Sequence, residues 1–298
     1  MTYTYEFWQE NCGKSGEQIA REQGKDGGTM RRIIRAAKTE YPDLDWYGGT
    51  PEPPKVRRGI AVYDLHHPRH NKRLWQNILK FTEDFDPDIF VFGGDNEDLE
   101  VVSHWVGNRR RKIEGKRLKK DYDDFNREVL APLDATLSAD AERHFLLGNH
   151  EAWVEQYIDE HPEVEGFFEI RNNLNLDGWN VYDYGEVAKV GHLHFIHGAY
   201  INVHNAYKTA QVYGRSMVYG HGHSYQAHTL TTPLDSLPYA AVQLPCACDL
   251  NPHYRLNQPN SWVNGLGVFY VHPDGHYSLY PVIAIDGTFL APDGTFYG

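Results

Sequence analysis

Residues 89–98 read IFVFGGDNED: four apolar residues, two glycines, then a polar tail with three carboxylates. Pro87 and Gly93 bound the apolar run, which predicts a short buried strand over 89–92. A strand is predicted upstream over 59–63 (GIAVY), a helix over 72–81, helical structure over 121–139 and a third buried strand over 143–147. Strand–helix–strand alternation of this kind predicts βαβ units with parallel strands. After Asn180 the texture changes: 181–184, 186–190 and 192–197 alternate as strands, 206–214 is a short helix, and from Tyr239 onward the chain is mostly β. Asp274-Gly275, Asp286-Gly287 and Asp293-Gly294 are hairpin turn signals between apolar runs.

Ligands of open α/β sheets bind beyond the carboxyl ends of strands. Asp64 and His66 follow GIAVY, Asp95 follows IFVFGG, Asn149 and His150 follow HFLLG, His197 ends HLHFI, and His221 and His223 follow MVYG. Each predicted strand thus delivers polar groups to one edge, with glycines at 94, 148, 198, 220 and 222 beside them. Two divalent cations can clamp the attacking and leaving oxygens of a phosphate when a carboxylate bridges them and few other negative charges repel the substrate. Asp64, His66, Asp95, Asn149, His197, His221 and His223 supply seven donors with two carboxylates among them. Mixed His and Asp donors suit Mn, Fe, Zn, Co or Ni better than Mg or Ca.

The series Asp64…His66, Gly94-Asp95-x-x-Asp98, Gly148-Asn149-His150-Glu151, His197, Gly220-His221-x-His223 resembles the full signature of calcineurin-like metallophosphoesterases, of the phage and bacterial type, and spans about residues 60–225. The resemblance implies a four-layer αββα sandwich, two mixed β-sheets flanked by helices, preceded here by a small N-terminal helical extension. It implies two divalent metal ions, manganese favoured. Asp64, His66, Asp95 and His223 would hold one; Asp95, Asn149, His197 and His221 would hold the other, with Asp95 bridging. His150 would contact the phosphate or protonate the leaving oxygen, with Asp98 orienting it, and the nucleophile would be a metal-bound hydroxide. In the Ser/Thr protein phosphatase branch an Arg follows the second Asp of the motif; Leu99 stands there in this chain, which argues against protein phosphatase activity.

Composition sets the remaining expectations. The chain has 298 residues, 17 of them His, and its formal charge of −12 argues against a surface that grips nucleic acid everywhere. No apolar run approaches the roughly 20 residues that cross a bilayer, and the N-terminus lacks a secretory pattern, so no membrane association and a cytoplasmic location (host cytoplasm if phage-encoded) are expected. Residues 1–45 read as a small helical unit with helix-turn-helix-like spacing: a capping box at Ser15/Gln18, a turn near Gly24, a second helix from Met30 to Lys38. Residues 46–58 read as a linker and 59–298 as the catalytic domain. Against the acidic background, Arg109, Arg110, Arg111, Lys112, Lys116, Arg117, Lys119 and Lys120 form a basic run, either a solvated face or a handle for a polyanion; Trp105 nearby could stack on a base. His197 is preferred over His192 and His194 because strand alternation puts it on the other face. His67 reads as a solvated loop residue, and His104, His204 and His228 as surface or supporting groups. Tyr200, Tyr207 and Tyr225 are candidate pocket residues. Cys246-Ala247-Cys248 lacks partners for a tetrahedral zinc and reads as a structural thiol pair. These features together point to a phosphodiesterase acting on nucleic acid or a nucleotide. A phosphomonoesterase with the same site, or a DNA-binding or assembly protein with a structural metal site, are the alternatives; oligomeric state stays open.

Overall fold

The computed structural model describes residues 3–12, 14, 16–44, 55–103, 110–198, 200–233, 235–252 and 258–298, without the side chains of residues 110, 112, 235 and 236. The chain divides into two compact units, Met1–Lys55 and Val56–Gly298. In the first, α1 (Tyr5–Asn11), α2 (Gly16–Glu22) and α3 (Gly27–Glu40) enclose a core of Trp8, Ile19, Ala20, Met30, Ala37 and Leu44. Gly24 has φ +60° in the turn between α2 and α3. α2 and α3 flank this turn as two helices, and α1 is a third helix that the sequence spacing did not separate. Ser15, and with it the expected capping box, lies outside the described residues.

In the second unit β1 (Arg57–Val62), α4 (Lys72–Phe85), β2 (Ile89–Phe92), α5 (Leu118–Phe125), α6 (Ala131–Thr136), β3 (Glu142–Leu146), α7 (Asn149–Glu160), α8 (Ile170–Asn173) and β4 (Trp179–Tyr182) come first. Then follow β5 (Ala188–Val190), β6 (Leu193–Phe195), α9 (Asn205–Tyr213), β7 (Ser216–Tyr219), β8 (Gln226–Thr232), β9 (Asp235–Gln243), β10 (Asn264–Val271), β11 (Tyr277–Ala284), β12 (Phe289–Leu290) and β13 (Phe296–Tyr297). β1 to β4 are parallel neighbours, and β10 and β11 extend their sheet antiparallel in the order β11-β10-β1-β2-β3-β4. The second sheet, β5-β6-β7-β9-β8, is also mixed: β6, β7 and β9 run parallel, and β5 and β8 flank them antiparallel.

Side-chain alternation builds the layers. Ile60, Val62, Phe90 and Phe92 point into a core shared with the helices, including Leu74 and Ile78 of α4. Their neighbours Ala61, Ile89 and Val91 point the other way, against Leu193, Phe195 and Val218 of the second sheet. Met217 and Tyr219 face outward onto Ala210 of α9. Helices, sheet, sheet and helix therefore stack in four layers, as the resemblance implied. Arg57 and Arg58, read from sequence as linker, belong to β1, where they pair with Val271 and Tyr270; residues 45–54 lie outside the described set. The three Asp-Gly pairs sit at turns, and Asp286-Gly287 has positive φ at both residues, the hairpin geometry such a pair favours. Among the described residues, no helix is long and apolar enough to cross a membrane.

Candidate metal centre

The parallel strands of both sheets end at the same place. Asp64 and His66 follow β1, Asp95 follows β2, Asn149 opens α7 just beyond β3, His197 follows β6, and His221 and His223 follow β7. Main-chain bonds sew these loops together: His66 N–H to Asp95 O at 2.9 Å and Gly220 N–H to His197 O at 2.9 Å. The Asp64 carboxylate accepts the His221 N–H at 2.9–3.0 Å. The chain turns sharply to present these groups. Asp64, His66, Asp95, His221 and His223 all have φ between 49° and 71°, a region costly for residues with a Cβ and concentrated at functional sites. Two glycines make the convergence possible: a Cβ on Gly148 would meet the Asp95 backbone nitrogen at 2.2 Å, and one on Gly220 would meet the Asp64 carboxylate at 2.4 Å.

Donor atoms of Asp64, His66, Asp95 and His223 lie within 4.8 Å of one another, and so do those of Asp95, His197 and His221. Asp95 belongs to both groups. Its Oδ2 stands 3.2 Å from His197 Nε2 and 3.8 Å from His66 Nε2. His66 Nε2 and His223 Nε2 are 3.1 Å apart, His223 Nε2 is 3.4 Å from Asp64 Oδ1, and Asn149 Oδ1 is 3.1 Å from His197 Nε2. Gly93 O accepts from His197 Nδ1 at 3.1 Å, which fixes the tautomer and turns Nε2 inward. All seven residues proposed from sequence as donors are thus brought together. Two buried carboxylates facing imidazole nitrogens at these distances fit divalent cations, because burying such carboxylates without compensating positive charge is expensive. The protons show the same demand. Burial disfavours the charged form of His197, yet the Asp95 carboxylate outweighs it and raises the pKa to about 9. His223 is raised to about 9 against its own burial, by Asp64.

His150 stands at the rim, with Nε2 3.9 Å from Asp95 Oδ2 and its ring 3.9 Å from that of Trp153. Asp98 orients it differently from expectation. The Asp98 main-chain carbonyl accepts from His150 Nδ1 at 2.8 Å, while the carboxylate lies 3.7 Å away, closer to His66 Nδ1 at 3.4 Å and bonded to Arg69 Nε at 2.8 Å.

Three supporting residues had no assigned role in the sequence reading. Glu151 is fully buried and accepts N–H groups from Asp95, Asn96, Glu97 and Gly148 at 2.7–3.1 Å, pinning the Asp95 loop to the start of α7. Its position three residues after Gly148 is a capping signal legible in the sequence. Arg69 pairs with both Asp98 and Glu100, and Trp262 packs edge-on against His223 at 4.3 Å; no local pattern marks either.

Other candidates fall elsewhere. His67, expected in solvent, is buried against Phe125 and His70, with Nε2 3.3 Å from Glu128, because the chain after His66 turns inward. His194 bonds Ser216 O on the far face. His228 packs on Tyr207, Tyr200 lies under Lys208, and His204 is exposed, while Tyr225 lines a cleft beside His221. In the basic run, Arg111 and Arg117 are exposed, and Lys116, Lys119 and Lys120 are paired with Glu100, Asp123 and Asp124. Lys116 thereby joins the chain Glu100–Arg69–Asp98 that leads to the metal edge. His104, Trp105 and Arg109, and the side chains of Arg110 and Lys112, lie outside the described residues. Cys246 and Cys248 do have a third donor: Cys248 Sγ is 3.9 Å from His223 Nδ1. Chain folding, not spacing, supplies it.

A body of two facing mixed sheets, with Asp and His donors gathered where their parallel strands end, defines a metal-dependent phosphoester hydrolase. The chain belongs to the calcineurin-like phosphoesterase family, whose model matches residues 64–232. The Gene 54 protein of Mycobacterium phage D29 is 23% identical over 253 residues, which cover 80% of this chain and 97% of that protein. Its namesake from Mycobacterium phage L5 is 24% identical over 188 residues, 58% of this chain and 72% of that one. Solved structures with a similar chain trace include a metallophosphoesterase from Sphaerobacter thermophilus (12% identity, 78% of this chain and 89% of that chain, TM-score 0.42). A single mutant of Vps29 from Entamoeba histolytica is another (13% identity, 77% and 94%, TM-score 0.41).

Proposed function

We propose that this chain is a binuclear metal-dependent phosphodiesterase that acts on nucleic acid or nucleotides. The observation that carries the reading is Asp95 Oδ2, a single carboxylate oxygen 3.8 Å from His66 Nε2 and 3.2 Å from His197 Nε2, which belong to different donor groups. Asp64, His66, Asp95 and His223 would hold one cation, and Asp95, Asn149, His197 and His221 the other, with manganese favoured. Cations held there would supply charge neutralisation for the phosphate and a lowered pKa for a water near neutral pH. His150 completes the chemistry from the protein side. Its Nδ1–H is committed to the Asp98 carbonyl, so Nε2 faces the centre; as imidazolium the ring carries a second proton on Nε2, which it gives to the leaving oxygen, returning to the neutral Nδ1–H tautomer.

The diester preference rests on the cleft beside His221. It encloses about 570 Å³, is lined by Ile201, Val203, Tyr225 and Trp262 among others, and has no Lys or Arg among the described residues of its lining. Such a wall suits the second organic group of a singly charged diester better than the free dianion of a monoester. Nucleic acid as substrate is supported by Arg31, Arg32 and Arg35, exposed together on α3, and by the exposed Arg111 and Arg117. A host cytoplasm is the compartment this reading assumes. Rates on bis-p-nitrophenyl and p-nitrophenyl phosphate with added manganese test it: the diester should be the better substrate, and a strong preference for the monoester would remove the diesterase claim.

A further inference from the structure

A second cleft opens at the opposite end of the second sheet. It encloses about 550 Å³, within the range of small-molecule sites. His192 and Arg215, at its mouth, immediately precede β6 and β7, whereas His197 and His221 follow those same strands. β7 has four residues, so at about 3.3 Å per residue the two sites are separated by roughly 13 Å or more.

The lining is chemically lopsided. It contains Lys189, Arg215 and the imidazoles of His192, His194 and His276 and, among the described residues, no Asp or Glu, in a chain whose net charge is −12. Lys189 lies directly across from His194 in the β5–β6 register. Among the described residues neither Lys189 nor Arg215 has a carboxylate partner within salt-bridge distance; the nearby Asp274 is engaged by His272 and His276 at 2.7 and 2.9 Å. Burial lowers the His194 pKa, hydrogen bonding to the Ser216 and His192 backbone opposes it, and the charges of Lys189 and Arg215 add to the lowering. Gathering like charges beside a half-buried imidazole costs free energy, which an anion would return. The remaining wall offers the rings of Tyr239 and Tyr277, the latter fixed by its hydroxyl donating to Ser216 Oγ at 2.7 Å.

We propose that this cleft binds a mononucleotide-sized ligand, its phosphate on Lys189 and Arg215 and its planar ring against the tyrosines, independently of the metal centre. The test is calorimetric titration of AMP into the metal-loaded full chain and into the double variant Lys189→Ala/Arg215→Ala, with Arg215→Glu as a second variant. Both positions are exposed, so folding should persist, and unchanged melting temperatures would verify that. The expected result is at least a tenfold loss of AMP affinity in either variant, with bis-p-nitrophenyl phosphate hydrolysis within twofold of the parent. Adenosine should fail to bind, and inorganic phosphate should compete more weakly than AMP. AMP affinity unchanged in the variants, or lost only together with hydrolysis, would overturn the proposal. Equal binding of adenosine would remove the phosphate contact, and equal binding of inorganic phosphate would remove the ring contact. The binding arm reads out even if the chain turns over no diester.

Discussion

In the proposed mechanism His150 moves a proton rather than holding a cation, although it clusters with His66 and Asp98. The imidazole belongs to neither group of Asp95-centred donors, yet its Nδ1 is held at 2.8 Å by the Asp98 carbonyl and its face lies on Trp153. A residue so fixed, with Nε2 turned to the centre, has the geometry the proposed proton transfer requires. His150→Ala should lower diester hydrolysis about 10²-fold or more while both cations remain bound, read by steady-state rates beside metal analysis. Unchanged turnover with both cations bound would remove His150 from the proton transfer. The donors themselves make a prediction about pH. With cations removed, His197 and His223 keep their protons up to about pH 9, well above the ordinary imidazole value. Raised folded-state pKa values contribute stability that is fully present below about pH 6.5 and lost as pH climbs through 9. The chelated protein should therefore melt progressively lower from pH 6.5 to 9. Metal binding must expel those protons, so manganese affinity should rise across the same interval. A manganese affinity that is flat from pH 6.5 to 9 would show that these two imidazoles are not ligands.

At the scale of elements, the join between β3 and α7 matters most. Glu151, in the first turn of α7, gathers four main-chain N–H groups from two loops and so fixes where Asp95 points. Burial and the nearby Asp95 raise its pKa, and the N–H groups from Glu97 and Gly148 pull it back. Glu151→Gln keeps the shape but turns an amide toward donors, so it should cost about 1–3 kcal/mol of stability. Manganese affinity should fall about 10–100-fold, with activity recovering at high manganese. A variant as stable and as tight as the parent would mean the Asp95 loop holds itself. The strands were legible because each buried run is short and bounded by Gly or Pro, as at Ile89–Phe92, and because donors at strand ends follow a simple topological rule. α7 was not assigned from sequence. Its helix begins inside the ligand motif, so Asn149 and His150 read as loop chemistry while Trp153, Val154 and Ile158 pack inward behind them. Likewise His67 and Arg69 sit among polar neighbours in sequence, and only the fold reveals that one is buried and the other braces Asp98.

At the scale of the whole molecule, charge is divided unevenly between the two units. Residues 1–55 carry nine Asp and Glu against eight Lys and Arg, a net of −1, which leaves −11 of the total −12 for residues 56–298. The acidic body holds every proposed metal ligand, and it repels a polynucleotide except where cations and local basic groups draw it in. The N-terminal unit is nearly neutral overall and concentrates Arg31, Arg32 and Arg35 on one helix, so a polyanion meets less opposition there. The two tasks should then be separable. Each unit has its own core, and a chain starting at Val56 should fold, bind manganese and hydrolyse bis-p-nitrophenyl phosphate within about a factor of two of the full chain. The same truncation should weaken retention on DNA and flatten its dependence on salt, since fewer phosphate contacts release fewer counterions. Parallel measurement of small-diester hydrolysis and DNA binding from 50 to 200 mM salt, about the range over which such contacts are lost, decides the matter. If the truncated chain binds DNA with an undiminished salt slope, the polyanion contacts belong to the catalytic body and the basic run after residue 109. If it loses small-diester hydrolysis while remaining folded, the N-terminal unit is part of the catalytic apparatus and not a separable appendage.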